Sequence, residues 1–201
     1  MYQTIRGRAP LRISLAGGGT DVQSYADEHG GAVICTTIDQ YAYVTLTPNS
    51  EKVFKVFSQD YDLLEIFKGI SDLEYNGKLD LIKAGLRTLN LGMEGFDVIL
   101  HADAPPGSGL GSSSAVGVAL VGNLLQYHGK HLGSYEIADL AYQIERFELG
   151  MKGGLQDQYA STFGGFNFIE FKKSGVTVNP LRLRQEITNE LLASLVLCDT
   201  G

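Results

Sequence analysis

Apolar and polar positions along the chain change period near residue 110. Before it, Ile5 to Leu15, Ala32 to Ile38, Tyr41 to Thr47 and Lys52 to Ser58 are rich in β-branched and aromatic residues and predict strands. In the last of these, Val53, Lys55 and Phe57 alternate with Phe54, Val56 and Ser58. Asp39-Gln40 reads as a tight connection, so the second and third segments pair as an antiparallel hairpin. Asp80 to Leu89 places Leu81, Ile82, Gly85, Leu86 and Leu89 at helical spacing, and Phe96 to His101 predicts another strand. Ser112 to Tyr127 is apolar on nearly every side, the mark of a helix enclosed by neighbours. Gly117 and Gly122 within it each cost about 1 kcal/mol against alanine, which suggests close backbone packing there. Ser134 to Gly150 predicts a second helix, capped by Ser134, with Ile137, Leu140, Ala141, Ile144 and Phe147 on its core face. Gly150 and Gly153-Gly154 end it. Gln156 to Phe163 reads as one or two further turns, and Phe166 to Phe171 and Val176 to Leu181 return to strand. Leu195 to Gly201 reads as a strand running into a turn.

Composition narrows the function. Apolar residues make up 44% and charged residues 19%, as expected of a chain that buries a core. Sixteen Lys and Arg stand against twenty-three Asp and Glu, a net charge of −7. With no basic surplus to displace counterions, neither nucleic acid nor an anionic membrane is the expected partner. Cys35 and Cys198 lie far apart, which excludes a disulfide framework and a zinc ribbon. The start of the chain has no long apolar stretch behind it, and the most apolar run, Ala115 to Leu125, is too short to span a bilayer. The expectation is a cytoplasmic protein. The oddity is 25 glycines.

Those glycines gather where chemistry is plausible. Pro105-Pro106-Gly107-Ser108-Gly109-Leu110-Gly111-Ser112-Ser113-Ser114 lies between a strand and the enclosed helix. Glycines at alternate positions let backbone N–H groups converge on an anion, and the helix adds its own unpaired donors. Three serines supply hydroxyls for a phosphate or a metal ion. Known glycine motifs do not fit: a Rossmann fingerprint needs glycine where Ser112 stands, and a Walker A loop needs a lysine after Gly111. A hydrolase nucleophile elbow needs a later acid and then a histidine, but of His29, His101, His128 and His131 none follows Asp139. A second cluster, Arg8 to Asp21, places Arg12 in a strand ahead of Gly17-Gly18-Gly19-Thr20-Asp21. Thr20 and Asp21 serve there either as a cap for a helix from Val22 to Glu28 or as acceptors for a polyol. The third is Glu145, in a row of small residues with Ala138 and Ala141, together with Asp157 just beyond Gly153-Gly154.

Together, in this order, the clusters resemble the superfamily of galactokinase, homoserine kinase, mevalonate kinase and phosphomevalonate kinase. Pro106 to Ala115 resembles its phosphate-binding motif, and Ala9 to Asp21 its first motif. Gly17 to Asp21, Gly154 to Ala160 and Phe163 to Phe168 look most like the branch of bacterial D-glycero-D-manno-heptose 7-phosphate kinases. The resemblance implies an α+β domain like domain 2 of ribosomal protein S5, with a left-handed βαβ crossover, a rare hand. It also implies a C-terminal ferredoxin-like domain, absent here, so that residues 1–201 form the ATP-binding domain and end near a domain boundary. The implied reaction is ATP-dependent phosphorylation of the anomeric hydroxyl of a heptose 7-phosphate. Pro106, Gly107, Ser108, Gly109, Leu110, Gly111, Ser112, Ser113 and Ser114 would hold ATP. Ser113 and Glu145 would hold Mg2+, with Glu148 as the substitute ligand. Asp157 would accept the proton of the sugar hydroxyl, Arg12 would offset charge, and Gly18, Gly19, Thr20 and Asp21 would contact the sugar. Another sugar such as fucose or galactose, or a silent ATP- and sugar-binding module, are the alternatives; an RNA-binding S5-like domain is disfavoured by the acidic balance.

Overall fold

The computed structural model describes residues 3–89, 95–196 and 198. It is an α+β fold: one seven-stranded sheet with helices packed against it. The strands are β1 (Ile5–Ala16), β2 (Gly31–Pro48), β3 (Phe54–Ser58), β4 (Leu63–Phe67), β5 (Phe96–Ala102), β6 (Phe166–Lys172) and β7 (Gly175–Pro180). The helices are α1 (Gln23–His29), α2 (Asp80–Thr88), α3 (Ser112–Tyr127), α4 (Ser134–Gln143), α5 (Gln156–Phe163) and α6 (Gln185–Ser194). The order across the sheet is β4-β3-β5-β2-β6-β7, with β1 also paired to β2; only β3 and β5 run parallel.

The expected hairpin at Asp39-Gln40 is not formed. β2 is one continuous strand of 18 residues, and β1 runs antiparallel along it. Pro10 faces Tyr41 and Arg12 faces Thr37, so Ile38, Asp39 and Gln40 bulge opposite Leu11. A polar pair that bends a strand carries the same sequence signal as one that reverses it. The bulge divides the other edge of β2, where β5 pairs with Ala42–Pro48 and β6 with Gly31–Thr36. The loop leaving β5 and the helix entering β6 therefore meet at the divide.

Alternation along β2 and β5 turns Ala42, Val44, Leu46, Phe96, Val98 and Leu100 into the core beneath α3, whose Ala115, Leu120, Val121 and Leu124 are buried in turn. Asn123 anchors α3 by donating to the Val44 carbonyl at 2.7 Å. Gly117 and Gly122 are not the source of close packing: a Cβ at Gly117 would only touch Leu81, and one at Gly122 would meet nothing. The tight approaches come from the partners, since a Cβ at Gly85 would lie 2.5 Å from Leu120 and one at Gly7 2.2 Å from Asn123. Ser134 is not the cap of α4; Gly133 takes that position, its N–H donating to Glu136 Oε2 at 2.7 Å. The predicted continuation to Gly150 widens into a π-helical turn, Ile144–Glu148, that carries Glu145. Leu197 and residues 199–201 of the expected last strand lie outside the described residues, and α6 precedes them.

Candidate functional site

The loop after β5 satisfies the glycine requirement in its backbone. Gly107, Gly109 and Gly111 have φ of 83°, 72° and 78°, a region L side chains rarely adopt, and the first two face open space. Arg12 N–H holds the loop to β1 by donating to the Leu110 carbonyl at 2.9 Å. The loop delivers the chain into α3, so the unpaired N–H groups and positive end of that helix face the same space. Ser112 Oγ is buried there with no hydrogen-bond partner.

The two serines that follow turn to Glu145. Ser113 Oγ donates to Glu145 Oε1 at 3.0 Å, and Ser114 Oγ to Oε2 at 2.7 Å. Gln158 Nε2 donates to the same Oε2 at 2.5 Å and to Ser114 at 3.0 Å. Glu145 is only 2% exposed, and this shell of donors compensates a carboxylate removed from water. The sequence pointed to Glu145 and Ser113 but not to Ser114 or Gln158 as partners, because α3, α5 and the π-helical turn after α4 must converge before they meet. Glu148 lies apart from this group. It accepts from Tyr75 Oη and lies 3.8 Å from Arg87, turned away from the serines. Burial and that hydrogen bond push the Tyr75 phenol up to about 12.

Arg12 links the loop to the third cluster. Its Nη1 donates to the Gly109 carbonyl at 2.6 Å, while Nε and Nη2 both lie 2.7 Å from Asp157 Oδ1. Asp157 Oδ2 makes no hydrogen bond among the described residues, and Asp157 borders two cavities. The larger, about 960 Å³, is bounded by the glycine loop, Ser113, Glu145 and the segment from Tyr75 to Asp80. The smaller, about 570 Å³, is bounded by Ser14, Gly18, Gly19, Asp21, Lys152 and Gln156. Asp157, Arg12, Gly109, Arg146 and Lys152 line both.

Of the expected sugar contacts, Gly18 and Gly19 border the smaller cavity and Asp21 lines it, but Thr20 does not. The Thr20 hydroxyl donates to the Gly17 and Ala32 carbonyls and accepts from Ala32 N–H, stitching the glycine turn onto β2. Neither Thr20 nor Asp21 caps α1, whose first position follows Val22 with no side-chain cap. Asp21 instead accepts from Gly19 N–H at 3.1 Å and, through Oδ2, from Gln156 N–H at 3.0 Å, the first amide of α5. A Cβ at Gly154 would lie 1.9 Å from that oxygen, so only glycine admits the contact. Asp21 thereby fixes the helix start that carries Asp157. Cys35, beneath Gln156, has its thiol pushed up to about 11 by burial and stays protonated at neutral pH.

Residues 79–165 match the family model described as GHMP kinases N terminal domain. A D-glycero-alpha-D-manno-heptose 7-phosphate kinase of Campylobacter jejuni is 42% identical over 99% of this chain, which covers 60% of that protein. The crystal structure of a D-glycero-D-manno-heptose 1-phosphate kinase from Bacteroides thetaiotaomicron superposes with a TM-score of 0.87 at 40% identity, over 94% of this chain and 63% of that one. A Lactococcus lactis galactokinase complexed with galactose has the same fold, with a TM-score of 0.74 at 22% identity over 90% of this chain and 48% of that one. The chain thus spans about three-fifths of the length of the heptose-phosphate kinases it matches.

Proposed function

We propose that this chain, whose residues 79–165 match the N-terminal domain of the GHMP kinases, is the ATP-binding domain of a cytoplasmic kinase that phosphorylates the anomeric hydroxyl of a heptose 7-phosphate. The observation that carries the reading is Arg12, whose one guanidinium joins the glycine loop at Gly109 to the carboxylate of Asp157. Phosphoryl transfer needs the donor phosphates, the balancing charge and the acceptor hydroxyl within one short line. The Gly107 to Ser114 loop supplies backbone donors for the ATP phosphates. Arg12 supplies charge next to them, and Asp157 accepts the acceptor proton on its open Oδ2. The acceptor lies in the smaller cavity and ATP in the larger. The heptose assignment rests on the likeness to the two heptose-phosphate kinases. No helix among the described residues is long and apolar enough to cross a membrane.

Ser113 Oγ and Glu145 Oε1, 3.0 Å apart, are hard oxygen donors of the kind Mg2+ takes. Ser113 and Glu145 would hold Mg2+, which when bound neutralises phosphate charge. Replacing either by alanine is expected to raise the Mg2+ concentration for half-maximal rate at least fivefold, while Glu148→Ala leaves it unchanged. A titration of rate against Mg2+ checks this, and equal metal dependence in all variants would move the ion elsewhere.

The reaction itself is tested by ADP formation across a panel of sugars. Heptose 7-phosphate is expected to exceed galactose and fucose in kcat/KM by at least tenfold. Equal use of galactose would leave a sugar kinase of another branch, and no turnover with any sugar would leave a binding module.

A further inference from the structure

The smaller cavity carries cations that the transfer chemistry leaves unused. Three positive side chains line it, Arg12, Arg146 and Lys152, all of which also border the larger cavity, against two carboxylates, Asp21 and Asp157. Asp157 is taken by Arg12, and Asp21 by two backbone amides. In a chain of net charge −7 this cavity is locally positive. Arg146 is held in place rather than loose. Its guanidinium donates to the Lys152 carbonyl at 3.3 Å, and its side chain is 11% exposed. A Cβ at Gly153, where φ is 156°, would lie 2.5 Å from Arg146 Nη2, so the glycine leaves the space the guanidinium fills. The adjacent glycines 153 and 154 thus seat the cavity's Arg146 and Asp21 respectively. The nearest acid, Glu145, is 3.7 Å away, and its oxygens are engaged at shorter range by Ser113, Ser114 and Gln158. Lys152 makes no ion pair among the described residues.

We infer that Arg146 and Lys152 bind the phosphate already present on the acceptor, a phosphate monoester at the end of the sugar remote from the hydroxyl that reacts at Asp157. A preformed, partly buried guanidinium presents paired donors to phosphate oxygens, and the exposed ammonium of Lys152 adds charge. A monoester dianion would offset the excess of the cavity, whereas a neutral sugar would leave it uncompensated. The inference rests on the kinase reading above and names what in that site selects a phosphorylated acceptor.

The experiment compares kcat/KM for heptose 7-phosphate and for unphosphorylated heptose in the full-length protein, as wild type, Lys152→Met, Arg146→Lys and Arg146→Gln. The wild type is expected to prefer the phosphorylated sugar. Lys152→Met and Arg146→Gln are expected to lose at least tenfold of that preference through KM for the sugar phosphate, with KM for ATP within twofold. Arg146→Lys, which keeps the charge, retains part of it and guards against a folding defect. If the wild type requires the phosphate and the variants keep that requirement, this inference falls alone. Variants that raise KM for ATP instead would place the cations on the nucleotide, again against it. A wild type that uses both sugars equally overturns the heptose-phosphate reading together with this one.

Discussion

Asp157→Asn is expected to lower kcat by about 10²–10⁴-fold, the usual contribution of a positioned general base, while ATP binding stays within threefold of wild type. The amide keeps the size of the carboxylate and leaves the start of α5 in place, because Asp21, not Asp157, holds the first amide of that helix. What changes is the carboxylate that borders the two cavities and partners Arg12. Arg12 keeps its bond to the Gly109 carbonyl, so the nucleotide loop should not collapse. Single-turnover rates and equilibrium ATP titrations separate the two effects. Turnover within threefold of wild type would falsify the role given to Asp157, since that factor is worth only ~0.7 kcal/mol of barrier.

The second large effect is on stability and lies behind the segment that borders the larger cavity. Lys83, in α2, is 2% exposed, and its ammonium is 2.8 Å from Glu65 of β4, 3.2 Å from Asp80, 2.7 Å from Asn76 Oδ1 and 3.0 Å from the Glu74 carbonyl. One buried cation therefore ties an edge strand, a helix start and the segment from Tyr75 to Asp80 that borders the cavity. Lys83→Met removes the charge and leaves Glu65 and Asp80 without it, a change that typically costs about 3–5 kcal/mol. For a chain of this size that corresponds to a fall in Tm of roughly 10 °C. KM for ATP is expected to rise as the wall loosens. Thermal denaturation with and without ATP measures both, and a Tm within about 2 °C of wild type would show that the acids find other partners.

Lys83 also marks where reading the chain stops. Nothing in Asp80-Leu81-Ile82-Lys83 distinguishes a buried lysine from a solvated one, because its partners come from β4 and from the turn before the helix. β4 was itself missed: Leu63 to Phe67 is a short edge strand with Glu65 at its centre, and it forms because β3 offers it a partner. α6 was missed for a related reason, since none of its residues is buried and it shows no core-facing stripe.

Local chemistry determined the rest. The positions of the strands, the span of α3, the glycine loop and the likeness to small-molecule kinases follow from residue types and spacing, since backbone conformation and periodic burial are short-range properties. The continuity of β2 through Asp39-Gln40 was decided by β1, whose pairing on both sides of Leu11 turns a potential reversal into a bulge. Tertiary packing also decided which groups surround each acid. Glu145 is enclosed by Ser113, Ser114 and Gln158, Glu148 is drawn off by Tyr75 and Arg87, Asp157 is set against Arg12, and Asp21 is spent on the start of α5. In the sequence these are four carboxylates in favourable company. A carboxylate's role depends on the donors and charges within a few ångströms of it, and here they arrive from segments as much as 145 residues away.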